Sequence, residues 1–156
     1  MFYSNDQSRI LGWKNFRDSL DSMSELDAVW ATNDFYNKAP ISSPYYCADF
    51  PQEWPDPWQL IVDNCYDDIA KALGIIYTLY YSKHKIPGEI RCYRDKEACS
   101  EHNLAWLAQG KYILNYDLRV LVNNKNIWED KNLVVRRDVG DLLANEFNPS
   151  YKERWS

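Results

Sequence analysis

"DPWQLIVDNCYDDIAKALGIIYTLYY", residues 56–81, is the stretch that decides the fold. It opens with a strong helix start: Asp56 at the N-cap, Pro57 in the first helical position and Gln59 in the third. From there Trp58, Val62, Cys65, Ile69, Ala72, Ile76 and Leu79 step alternately by four and three. That spacing predicts one continuous amphipathic helix reaching about residue 81. Gly74 inside it implies a close neighbour. In the continuous reading Cys65 sits more than two turns inside the helix, on the apolar stripe, where burial raises a thiol pKa and leaves it inert. A break near Asp63–Asn64, with Asn64 recapping a new helix, would instead bring Cys65 to a helix N-terminus.

Outward from this helix the pattern changes in both directions. Upstream, residues 5–21 read as a helix, with Ser4 as cap, Gln7 three residues on, and Ile10, Trp13, Phe16 and Leu20 on its apolar side. A second helix runs over 25–37 behind Ser24 and Asp27, with Leu26, Val29, Trp30 and Tyr36 as its apolar side. Residues 38–57 hold five prolines and read as an ordered loop laid over the body. Downstream, "KIPG" (85–88) breaks the chain and strands follow. "EIRCYR" (89–94) alternates, with Ile90, Cys92 and Arg94 on one face. "NLAWLA" and "KYILNY" form a hairpin about Gln109-Gly110, and "RVLV" (119–122) and "NLVVRR" (132–137) are further strands. Asp138–Phe147 reads as a short helix before a polar tail with Trp155. The expected class is α+β: N-terminal helices and a long central helix packed against an antiparallel β-meander. One domain spans 1–156, made of helices and a Pro-rich loop (1–55), the central helix plus sheet (56–137), and a short helix and tail (138–156).

The composition narrows the function. At 46% hydrophobic residues the chain has enough apolar surface to fold. Its net charge of −5 and scattered Lys and Arg give no basic face, so nucleic acid is not an expected partner. No phosphate loop of the G-x-x-x-x-G-K-[ST] kind is present. "MFYSNDQSRI" lacks the features of a secretion signal, and "LGIIYTLYY" (73–81) is too short to span a bilayer. The expectation is therefore a cytoplasmic protein with no membrane contact and four reduced cysteines, Cys47, Cys65, Cys92 and Cys99. Their spacing fits no zinc pattern, and no metal or cofactor is expected. Seven Trp and twelve Tyr suit cores and interfaces alike. Tyr45, Tyr46, Trp54, Trp58 and Trp155 are the candidate contacts for a protein partner.

The segment from Asn64 to Asp117 resembles the core of the transglutaminase-like cysteine enzymes, related to the papain-like fold. In that family a cysteine opens the central helix, a "lGI" phrase comes near the helix end, a strand carries "HAW", and a Gly turn leads to a strand ending in Asp. Here stand "NCYDDIAKALGI", "HNLAW", Gly110 and "YILNYD". The resemblance implies a triad of Cys65 as nucleophile, His102 as base and Asp117 as orienter, in a thiol acyltransferase or amidase. Matching "AW" to "HAW", however, puts Leu104 in the imidazole's place. Matching Asp68-Ile69-Ala70 to the family's acid–aromatic–alanine phrase puts Tyr66 in the thiol's place. These departures favour a core without a full triad, acting through protein–protein contact. The layout also resembles small uncharacterised proteins of tailed bacteriophages of marine and cyanobacterial hosts. That likeness implies an accessory or virion component, found in the host cytoplasm or the particle. His84 reads as structural, near a helix C-terminus where a cation is favourable.

Overall fold

A computed structural model describes residues 1–95, 97, 99–128 and 131–144. The chain is α+β. Helix α1 (Asp6–Leu20) starts at Asn5, whose side chain accepts from Ser8 N, so the cap lies one residue beyond the Ser4 expected from sequence. Helix α2 (Glu25–Asn37) starts at Ser24, which accepts from Asp27 N as expected. Its buried residues are Ala28, Val29, Thr32, Asn33 and Tyr36, whereas Leu26 and Trp30 face outward.

The long central helix is two helices. Helix α3 (Pro57–Asp63) ends at Asn64 in the left-handed conformation (φ 53°), whose N–H returns to Leu60 O. Helix α4 (Asp68–Tyr81) begins afresh behind Asp67. Three contacts pin the break: Arg9 donates to the carbonyls of Ile61 and Val62, and Asn64 Nδ2 donates to Phe2 O. A guanidinium at the end of α3 satisfies carbonyls that the helix itself leaves open. Ten residues of α4 are buried, on all its sides. It is thus a core helix, with α1–α3 on one side and a sheet on the other.

Strands β1 (Gly88–Asp95), β2 (Ser100–Leu107), β3 (Tyr112–Tyr116), β4 (Arg119–Val122) and β5 (Asn132–Asp138) form one antiparallel sheet in the order β4-β3-β2-β1-β5. The first four make the expected meander; β5 returns to pair with β1, with a register shift at Cys92/Tyr93. The β2–β3 turn holds Gln109 and Gly110 at positive φ, and a Cβ on Gly110 would meet the Trp106 indole at 2.8 Å. A short helix, α5 (Val139–Ala144), closes the described chain.

Strand parity sorts β2. Ala105 and Leu107 join the main core against the helices. Leu104 and Trp106 join a second cluster with Tyr93, Ile113 and Trp128 on the outer face. Between α1, α2 and α4, Thr78 accepts from Trp13 Nε1 and donates to Gly74 O. Its single proton is thereby used, so the buried Tyr36 hydroxyl, 2.9 Å away, is the donor of that pair. No described helix is long and apolar enough to cross a membrane.

Candidate functional site

The break before α4 creates the site. Asp67 caps α4 by accepting from Ala70 N through Oδ1. Its Oδ2 accepts from the backbone N–H groups of Tyr45 and Tyr46, at 2.8 and 2.7 Å. One buried carboxylate thus caps the helix and ties down the Pro-rich segment, which also touches Tyr66 through a single parallel bridge at Ile41. The next residue, Asp68, meets the sheet. Asn103 Nδ2 of β2 donates to its Oδ2 at 3.2 Å. Asn115 Nδ2 of β3 reaches its carbonyl at 2.8 Å and Oδ1 at 3.3 Å. Asn115 also donates to Asn103 O at 2.8 Å, which closes the set. Burial of its inner side pushes the Asp68 carboxyl up, against the hydrogen bonds from Asn103 and the charge of Lys71, which pull it down.

A cleft of about 810 Å³ opens in front of this set. Tyr45, Tyr46, Ile69, Lys71, Arg94 and Asn103 are among its walls. Arg94 is held at the rim by Asp49 and Glu101, at 3.1 and 3.3 Å. The phenols of Tyr46 and Tyr66 are pushed up, chiefly by burial. Nearby carboxylates raise Tyr46 further. Both therefore stand neutral at physiological pH.

The three residues of the sequence-derived triad do not meet. Cys65 is half-buried in the link between α3 and α4, two residues ahead of the Asp67 cap. His102 lies on the outer face of β2, its ring 5.6 Å from Tyr116 and 5.4 Å from Trp128. Leu104, its neighbour in parity, shares that face. Asp117 is exposed at positive φ beside Arg119, 4.0 Å away. The strand residue facing α4 is Asn103, one position on from His102. Sequence reasoning passed over Asn103 and Asn115. The parity of Ala105 and Leu107, both apolar on the helix side, was the available signal for Asn103.

The expected contact residues divide. Tyr45 is exposed and Tyr46 half-buried at the cleft. Trp54 (0% exposed) and Trp58 (8%) are core residues, which corrects their reading as a partner surface. Trp54 Nε1 donates to Cys47 O, and Trp58 packs edge-on against Trp13 and Tyr81. Their large apolar bodies are used inward. Trp155 lies outside the described residues. His84 Nε2 hydrogen-bonds Leu20 O, at the end of α1 and not of its own helix. Among the described residues no three His, Cys, Asp or Glu side chains stand together as a metal site.

No family model matches the sequence, and no curated protein does. Solved structures of LapG from Legionella pneumophila are similar. The calcium-bound form has a TM-score of 0.65 at 18% identity, over 88% of this chain and 78% of that one. A second LapG structure gives 0.64 at 19% identity, over 86% and 76%. The EGTA-treated form gives 0.64 at 17%, over 99% and 92%. At such identities the likeness speaks for the fold alone. The chain shares its α+β fold with LapG.

Proposed function

We propose that this chain is a transglutaminase-like scaffold that works by binding a partner at the cleft before α4, without thiol catalysis. The observation behind this reading is the Asp68–Asn103–Asn115 set. It occupies the junction of helix start and two strands where the family resemblance places thiol, imidazole and carboxylate. A carboxylate and two amides hydrogen-bonded to one another offer no thiol nucleophile and no base of imidazole type. For an active thiol enzyme His102 would have to cross to the other side of β2, a one-residue slip that would turn every side chain of the strand. The partner is a protein in this reading, met by the exposed Tyr45 and the cleft behind it.

Alkylation tests it. Iodoacetamide should modify the exposed Cys47 and Cys99 first. Cys92, whose thiol burial pushes up to about 12, should react last, and Cys65 no faster than the exposed pair. Selective alkylation of Cys65 well below pH ~8.5, the ordinary thiol range, would overturn the reading. So would a carboxamide-cleaving activity abolished by Cys65→Ser.

A further inference from the structure

The outer face of the sheet carries a second hollow, which shares no wall residue with the cleft before α4. It measures about 210 Å³ and is lined by Arg91, Tyr93, Trp106, Gln109, Lys125 and Trp128. Three of these bring rings, and Arg91, Lys125 and Gln109 bring N–H donors. No acidic side chain is among its described walls. In a chain of net charge −5 that is a local reversal of sign. Trp128 and Lys125 come from one 3-10 turn, Lys125–Trp128, in which residues three apart stand one above the other. The Trp128 ring is held by Tyr93, Tyr116 and His102, with centroids at 5.2, 5.0 and 5.4 Å. Trp128 is 4% exposed, yet its indole N–H has no acceptor among the described residues. A buried group that can only donate is uncompensated in that state. Arg91 lies over Trp106, its guanidinium carbon 4.0 Å from the ring centroid. Its Nε donates to Glu89, which Arg136 also engages, and one further N–H goes to the Tyr93 hydroxyl at 3.3 Å. The rest of its five donors have no acceptor among the described residues. Lys125 is exposed and forms no ion pair among them.

We propose that this outer hollow binds a carboxylate carried on a short apolar stem. The carboxylate accepts from Trp128 Nε1 and from the unclaimed N–H groups of Arg91, with Lys125 as the second countercharge. An ionised carboxylate only accepts, which matches a set of walls rich in donors. Gln109, held in the β2–β3 turn at φ 58°, adds its amide at the rim. Glu89 already takes up part of the Arg91 charge, so the site suits one negative charge better than the nearly two of a phosphate. The stem packs against Tyr93 and Trp106. The volume lies below the about 300–1,000 Å³ of pockets for drug-sized ligands, which limits the bound group to a few heavy atoms beyond the carboxylate. The group can come from the C-terminus or an acidic side chain of a polypeptide, or from a free aliphatic acid. Because the two sites share no residue, this one stands or falls independently of the cleft.

The test is an NMR titration of the whole chain at neutral pH and constant ionic strength. The probes are butyrate, butyramide, an N-acetylated alanine peptide with a free C-terminal carboxylate, its C-terminally amidated form, and inorganic phosphate. Saturable shifts are expected at the Trp128 indole N–H, the Arg91 Nε–H and the Gln109 side-chain amide with butyrate and the free-carboxylate peptide. Butyramide and the amidated peptide should leave all three unmoved. Trp128→Phe removes the N–H and keeps an aromatic ring, and should weaken butyrate binding by about tenfold to hundredfold. Lys125→Gln changes an exposed residue and leaves the fold intact, so it serves where Trp128→Phe loses its native circular-dichroism spectrum. It should weaken binding by about twofold to fivefold. Tighter binding of the peptide than of butyrate identifies a polypeptide source, and the reverse order a free acid. Equal shifts with butyramide, tighter binding of phosphate than of butyrate, or an unchanged affinity in folded Trp128→Phe or in Lys125→Gln would overturn the proposal. So would the absence of any shift at butyrate concentrations on the order of 10 mM.

Discussion

Gly74→Ala is the sharpest test of the packing that holds α2 to α4. A Cβ at this position would stand 2.3 Å from Cε1 and 2.6 Å from Cζ of Tyr36. Ordinary contact begins near 3.4 Å, so the ring must retreat by 3.4 − 2.3 = 1.1 Å. It has nowhere to go. Tyr36 is 1% exposed and has Phe2, Phe35 and Tyr66 around it, with ring centroids at 6.2, 5.1 and 6.0 Å. A shift of that size also breaks the 2.9 Å bond from the Tyr36 hydroxyl to Thr78. Overpacking costs about 1–3 kcal/mol and an unpaired buried hydroxyl about 1–3 more, while the better helix propensity of alanine returns about 1. The net is a loss of about 3 kcal/mol, within about 1–5. For a chain of this length that lowers Tm by about 6–12 °C. Urea unfolding followed by far-UV circular dichroism measures it, with an unchanged m-value. Tyr36→Leu removes the ring from the contact, so Gly74→Ala should cost far less in that background. A Gly74→Ala protein as stable as the parent, or equal costs in both backgrounds, would refute the close approach.

Asp67→Ala should cost about 2–4 kcal/mol in urea unfolding, the sum of a lost N-cap and the lost backbone anchors of Tyr45 and Tyr46. Trp54→Ala should lose about 3–5 kcal/mol, as a core deletion and not an interface change. Asn64→Ala should destabilise by about 1–2 kcal/mol through the left-handed backbone and the lost bond to Phe2, and Asn64→Gly by less. The pH dependence follows from Asp68. Its folded carboxyl is raised above the unfolded value, so between the two the folded state binds more protons and stability falls as pH rises. Above that window the cost is fully present. Asp68→Asn should remove this part of the slope from about pH 4 upward, and a variant with the parent's profile there would count against the burial of its inner side.

Much of the architecture could be read from sequence because its signals are local. The Ser24 and Asp56 caps, the Gln109-Gly110 turn and the alternating strands all stand where their residues put them. The break near Asp63–Asn64 stood only as the second of two readings, because an apolar stripe runs in register straight across it. Asn64 and Asp67, the residues that end one helix and start the next, are also acceptable within a helix. What makes them termini is Arg9, 52 residues from Ile61 in sequence. The site was misread for a related reason. A histidine with an aspartate downstream is a recognisable phrase, but its meaning depends on which face of β2 the histidine takes. That face is set by Ala105 and Leu107 against α4, through tertiary packing. The tryptophans of "EWPDPW" were assigned outward because an aromatic residue next to prolines looks alike in a loop and in a core.

The sheet order has a consequence for the newly made chain. β1 lies inside the finished sheet, but the strand on its far side begins at Asn132, 37 residues after β1 ends at Asp95 (132 − 95). At synthesis rates of about 5–20 residues per second, that interval is roughly 2–7 s. Throughout it Ile90 and Cys92 lie on a strand with one open row of N–H and C=O groups, a template for any other extended chain nearby. The late strand that shields it carries Arg136, Arg137 and Asp138. These charges stay on the rim and discourage further pairing once β5 has docked. A ribosome stall between residues 95 and 132 would therefore leave an adhesive intermediate, while one after residue 138 would release a sheet with its rim already guarded.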